Sequence, residues 1–190
     1  PSAAMSQPLS RHRLHPHPST PAPAVRSLCV DVGRSDTAPG SWWLRFRLQA
    51  ALEALALPPP GASAGPADDL WRHTCFEAFV GRAQAAAYHE FNFSPAGDWA
   101  AYAFSGPRQR ASADQLPLAP RLQWQRADDT LTLTVELPRQ ALPAADHTDL
   151  LLGLSAVIEA RDGQLSCWAL AHPAPQPDFH HRAGWTARLP

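Results

Sequence analysis

The sequence predicts an all-β protein, a two-sheet antiparallel β-sandwich of about ten short strands with little helix. Three observations carry this expectation. Apolar and polar residues alternate with period two in segment after segment, most cleanly over Ser41 to Ala50. Turn signals such as Ser94-Pro-Ala-Gly-Asp98 and Arg161-Asp162-Gly163 punctuate the chain at short intervals. Almost no stretch carries the 3.6 period of an amphipathic helix. Two packed antiparallel sheets are the default way to bury such one-sided faces.

Each element follows in order. Residues 1–23 are rich in Pro, Ser and His and read as a disordered or weakly ordered lead-in. Residues 24–190 form the sandwich domain, and 190 residues suit one domain with a real core. The first strand runs from Ala24 to Val32, with Leu28, Val30 and Val32 on one face and Ser27, Cys29 and Asp31 on the other. In the next, Trp42, Leu44, Phe46 and Leu48 oppose Trp43, Arg45, Arg47 and Gln49. Glu53–Leu57 adds a short strand or turn, and the Pro-rich loop that follows closes this half. Three consecutive antiparallel strands come next: His73–Val80, Ala87–Ser94 and Trp99–Phe104. Residues 105–120 read as a loop. Arg121–Gln125 and Leu131–Leu137 make a hairpin, and Pro138–Leu142 reads as one helical turn with Pro first. Leu150–Ala160 is a long apolar, central strand that returns through Gln164–Leu170, and Trp185–Leu189 closes the chain.

Composition excludes several functions. The net charge is −1, and all 16 basic residues are Arg, spread along the chain, so no nucleic-acid footprint is present. The absence of Lys removes Schiff-base chemistry and a phosphate-loop lysine. No apolar run reaches the length of a membrane span, and no hydrophobic signal core stands at the N-terminus, so a cytoplasmic protein is expected. Cys29, Cys75 and Cys167 lie mid-strand, form no C-x-x-C pair and read as free thiols.

Three segments carry a family resemblance: LWRHTCFEAFVG from Leu70, YHEFNFSPAGDWAAYAF from Tyr88, and CWALAHPAPQPDFHHRAGW from Cys167. Together they resemble bacterial DOMON-like domains, which are similar to the carbohydrate-binding module family 9 sandwich, over roughly Ala24 to Leu189. The resemblance implies a sandwich that binds a sugar, a haem or another small ligand on one sheet, without catalysis. Similar haem-carrying domains use Met with His or Lys as axial ligands. Here Lys is absent and the single Met is Met5, so haem would require two histidines and is not expected, which leaves a divalent metal as the one cofactor the residues could hold.

The residues themselves offer three constellations. Period two puts Glu90 and Asn92 on one face, where Glu77 can join them across the ladder. Carboxylates and amides beside flat aromatics suit sugar hydroxyls; a merely solvated face is the alternative. Glu77 and Glu90 also have the chemistry of a glycosidase pair, though nothing in the sequence fixes their separation. The second constellation is Trp71-Arg72-His73, at the entry to the first central strand: an Arg beside a Trp can clamp a carboxylate or phosphate, or Trp71 simply caps the sandwich edge while Arg72 pairs with Asp68 or Asp69. The third is His172, Asp178, His180 and His181, a candidate divalent-metal set on the C-terminal loop.

The expected function is therefore non-catalytic binding of a small polar ligand, a carbohydrate or sugar-derived metabolite. Trp71, Trp99 or Trp168 would stack on it, Glu77, Glu90 and Asn92 would bond it, and Arg72 with His180 or His181 would close the rim. The alternatives are a metal-dependent enzyme built on the C-terminal loop and an interaction module whose aromatic face docks a protein.

Overall fold

The strands hydrogen-bond in one continuous path that folds back on itself. The computed structural model describes residues 6–36, 38–59, 65–115, 120–143 and 150–189. It contains β1 (Ser10–Pro16), β2 (Val25–Arg34), β3 (Trp42–Ala50), β4 (Cys75–Arg82), β5 (Tyr88–Phe93), β6 (Trp99–Gly106), β7 (Gln109–Gln115), β8 (Arg121–Ala127), β9 (Thr130–Leu137), β10 (Leu150–Glu159), β11 (Leu165–Ala169) and β12 (Ala187–Arg188). Their order is β7-β6-β5-β4-β10-β11-β1-β2-β3-β9-β8, with β12 also paired to β10. All the strand pairs are antiparallel.

The path makes two layers. One is β8-β9-β3-β2-β1 and the other β7-β6-β5-β4-β10-β11, with β1 shared at the fold line. Their inner faces meet ring to ring: Phe46 of β3 lies 5.3 Å from Phe76 of β4, and Phe76 lies 5.7 Å from Trp124 of β8. Leu28, Val30, Leu44, Leu133, Ala78, Phe91 and Leu154 fill the space between them, each essentially inaccessible to solvent. The alternation expected from the sequence dictates these faces. In β3, Trp42, Leu44, Phe46 and Leu48 all enter this core. Trp43 is also buried, on the opposite face, because its ring lies across Gly33 of β2, where any side chain would overlap it.

Three expectations are corrected. The lead-in is not uniformly weakly ordered, because Ser10–Pro16 forms β1. Its register with β2 runs from Ser10–Val32 to Leu14–Leu28, and His15 and Pro16 continue onto β11. Leu14 supplies its one fully buried apolar side chain, and Arg11 forms an ion pair with Asp31 of β2 at 2.5 Å. Its His, Arg and Pro content concealed the alternation. Gln109–Gln115, read as loop, is strand β7. Pro138 stands just before a 3-10 turn at Arg139–Ala141 rather than at its first position. Among the described residues, no helix is long and apolar enough to cross a membrane.

Candidate ligand-binding site

The outer face of the β4–β5–β6 layer is not left to solvent. Phe79 (β4), Tyr88 (β5), Ala100, Tyr102 and Phe104 (β6) form a second apolar cluster there, closed by Trp185 from the C-terminal segment. Tyr88 and Phe104 stack at 4.8 Å, and Trp185 stacks on Phe79 at 5.6 Å. The Trp185 indole N–H donates to the Phe179 carbonyl at 2.8 Å. That bond fastens the segment carrying Phe179 and His180 over the sheet.

Beside this cluster lies a cavity of about 600 Å³. Its floor is the sheet: Glu77 and Phe79 from β4, Glu90 from β5, Tyr102 and Phe104 from β6, Val157 from β10, and Leu165 and Cys167 from β11. Trp71, Arg108 and Arg110 stand around it, and Pro177, Phe179 and His180 complete it. The size and the mixture of apolar walls with a few polar groups are those of a small-molecule site.

The floor holds two buried carboxylates. Register sets Glu77 opposite Asn92 on one side and opposite Ser155 on the other, with Glu90 opposite Phe79. Glu77 and Glu90 are thus diagonal neighbours on one face. The Ser155 hydroxyl donates to Glu77 at 3.3 Å, and the Asn92 amide donates to Glu90 at 2.9 Å. Asn92 Oδ1 is buried without a hydrogen-bond partner. Burial, reinforced by the Glu90 charge, pushes the Glu77 carboxyl well above its usual range. Burial raises Glu90 as well, opposed by the Asn92 hydrogen bond and by the fields of Arg110 and Arg108.

His180 closes one end. Its Nδ1 lies 2.6 Å from the Tyr88 hydroxyl, which also accepts the Arg108 backbone N–H at 3.1 Å. Burial, with the nearby Arg108 charge, pushes its pKa down to about 4, so the ring is neutral near pH 7. Because the Tyr88 oxygen already accepts from Arg108, the geometry suits the tautomer in which the phenol donates to Nδ1 and Nε2, 3.7 Å from Glu90, carries the proton. Arg108 adopts a left-handed backbone conformation (φ 56°) at the tight β6–β7 turn and pairs with Asp178 at 2.8 Å. Arg110 lies 4.0 Å over the Tyr102 ring, and the Tyr102 hydroxyl donates to Asp68 at 2.5 Å.

This architecture has a solved counterpart. A crystal structure from Bacteroides uniformis ATCC 8492, described as a "putative carbohydrate-binding protein", superposes with a TM-score of 0.62. The match covers 92% of this chain and 84% of that one at 13% identity, which establishes a shared fold. No protein-family model and no curated protein sequence matches the chain.

The structure sorts the residues singled out by sequence. Trp71, Glu77, Glu90 and His180 line the cavity, and Asn92 supports it from the same face through Glu90. Trp168 does not reach it. Neighbouring residues of β11 face opposite ways, so Cys167 takes the cavity side while Trp168 enters the inner core, its N–H bonded to Ser166. Trp99 pairs with Phe93 and packs against that same inner core. Arg72 pairs with Asp69 at 3.2 Å and stacks on Trp71 instead of closing the rim. His181 turns back to accept the Ala183 N–H in its own 3-10 turn.

The metal set does not assemble. The His172 N–H bonds the His15 carbonyl at 2.8 Å, Asp178 is held by Arg108, and His181 serves its turn. His180 alone of the four faces the cavity, and no metal-ligating cluster exists among the described residues. Sequence reasoning missed Phe79, Tyr102, Phe104, Arg108, Arg110 and Phe179. Tyr102 and Phe104 share the period-two face of Glu90 and were within reach of a register argument. The arginines belong to β7 and its turn, which carry no apolar alternation to reveal a strand.

Proposed function

We propose that the protein binds a small polar ligand, a carbohydrate or sugar-derived metabolite, in the cavity on the outer face of the β4–β5–β6 layer. One observation carries the reading: a cavity of about 600 Å³ has aromatic walls and two buried carboxylates in its floor. A sugar presents an apolar ring face and a rim of hydroxyls, and such a site meets both. Trp71, half exposed at the cavity edge, is the stacking platform. Glu77 and Glu90 take the hydroxyls, and Asn92 orients Glu90. The fold shared with the Bacteroides uniformis protein is consistent with this reading and adds nothing about the ligand.

Calorimetric titration with a panel of mono- and disaccharides tests it. Saturable binding by one class is expected, weakened at least about tenfold in Trp71→Ala and in Glu90→Gln. Absence of binding across the panel, or binding that both variants leave intact, overturns it.

A further inference from the structure

The two floor carboxylates are short of partners. Glu77 is 2% exposed and Glu90 6%. Among the described residues, Glu77 accepts only the Ser155 hydroxyl and Glu90 only the Asn92 amide. Neither lies within 4.0 Å of an arginine; the one ion-pair contact is from Glu90 to His180, and that imidazole is neutral near pH 7. A buried acid with no cation in contact keeps its proton, the direction in which burial drives Glu77 and Glu90, and ionises at low cost only when an opposite charge arrives beside it. The two arginines nearest the cavity act on Glu90 through their fields but contact neither acid: Arg108 is held by Asp178 and Arg110 lies on Tyr102.

Cations already rest against two of the cavity's rings, Arg72 on Trp71 at 5.2 Å and Arg110 on Tyr102 at 4.0 Å. Glu77 and Glu90 are diagonal neighbours of one ladder, a relation that sets their backbones about 7–8 Å apart. One ammonium group, with three N–H donors, spans such a pair.

We propose that the cavity takes a sugar-sized ligand bearing a protonated primary amine, an amino sugar, whose ammonium sits between Glu77 and Glu90. This rests on the binding reading above and narrows it to a chemical class. The ammonium donates to the Glu90 oxygen that Asn92 leaves open and to Glu77. Any proton held by the two acids departs to solvent as the ammonium arrives, so charge balances without a further reactant.

The test titrates the intact protein with glucosamine, N-acetylglucosamine, glucose and the hydroxyl-free amine cyclohexylamine. Glucosamine is expected to bind at least about tenfold more tightly than glucose or N-acetylglucosamine, the factor one charge-assisted hydrogen bond supplies. Glu77→Gln and Glu90→Gln, which keep size and shape, should each erase that preference, with folding checked by circular dichroism. Equal binding of glucose and glucosamine, or a preference that survives both variants, overturns the amine while leaving sugar binding in place. Binding of cyclohexylamine alone, lost in both variants, upholds the amine and removes the sugar. No binding by any of the four overturns both.

Discussion

At the scale of single residues, Glu77 makes the strongest commitment. Its pKa in the fold is raised above the value of 4.5 expected when unfolded, mainly by burial and then by Glu90. The folded protein therefore holds this proton more tightly than the unfolded chain does. Its contribution to stability is complete below about pH 4.5 and is lost as pH rises toward the folded pKa. Glu77→Gln mimics the protonated acid and escapes that loss. Urea unfolding should give similar midpoints for the variant and the parent near pH 4.5, with the variant gaining about 1–3 kcal/mol by pH 8. A constant difference across this range would show that Glu77 does not titrate in the fold. His180 shifts the other way, from 6.5 down to about 4, and so loses its contribution as pH falls through that interval. That slope is common to both proteins and drops out, whereas Glu90, whose charge acts on Glu77, does not, so the difference reports the two acids together. Trp71 offers the opposite kind of residue. It is 50% exposed, so Trp71→Ala should change stability by less than about 0.5 kcal/mol while removing the ligand's stacking surface. An unfolding midpoint that drops sharply would mark Trp71 as a packing residue instead.

At the scale of elements, the C-terminal segment determines whether the outer face of β4–β5–β6 is a site or merely a surface. Trp185 lies directly over Gly153 of β10, and a methyl group there would overlap the indole ring. Gly153→Ala must therefore lift Trp185, and with it the hydrogen bond that holds Phe179. We expect a loss of about 1–3 kcal/mol and a weaker cavity, read as a lower unfolding midpoint together with faster amide exchange near Phe179 and His180. Unchanged exchange in that segment would mean that Trp185 is not its fastening. This arrangement also explains what could be read in the sequence. Alternation in β4 and β5 placed Phe76, Val80, Phe91 and Phe93 inward and Glu77, Glu90 and Asn92 together outward, because period two is a local property of a strand. The destination of the outer face is not local. Glu90 and its neighbour Phe79 are covered by His180 and Trp185, which return from the far end of the chain. The same limit applies to Trp168 and to the four candidate metal ligands. Neighbouring residues on a strand point apart, and the loop's histidines take separate partners: the His15 carbonyl for His172, the Tyr88 hydroxyl for His180 and the Ala183 N–H for His181.

At the scale of the whole molecule, the unanticipated strand β1 joins the two layers. Its Ser10–Leu14 half pairs with β2 in one layer, and its His15–Pro16 end pairs with β11 in the other. The ladder continues into the His17 N–H, which donates to the Cys167 carbonyl at 2.8 Å. Without β1, the edges of β2 and β11 would both stand open, and unpaired edges invite association with other chains. Cys167 and Leu165, which help floor the cavity, belong to the strand that β1 flanks, so fold closure and site are mechanically linked. Leu14 is the side chain to test. It is fully buried in the main core and lies opposite Leu28. Leu14→Ala should cost about 2–5 kcal/mol, the range for emptying a packed leucine site. Removing residues 1–17 altogether should do more, giving a protein that associates in size-exclusion chromatography and loses near-ultraviolet dichroism. If the truncated chain kept the oligomeric state of the parent with its cooperative transition intact, β1 would be a late addition to a sandwich that closes without it. If Leu14→Ala costs several kcal/mol and truncation opens the edges, the Pro- and His-rich segment is part of what closes the sandwich.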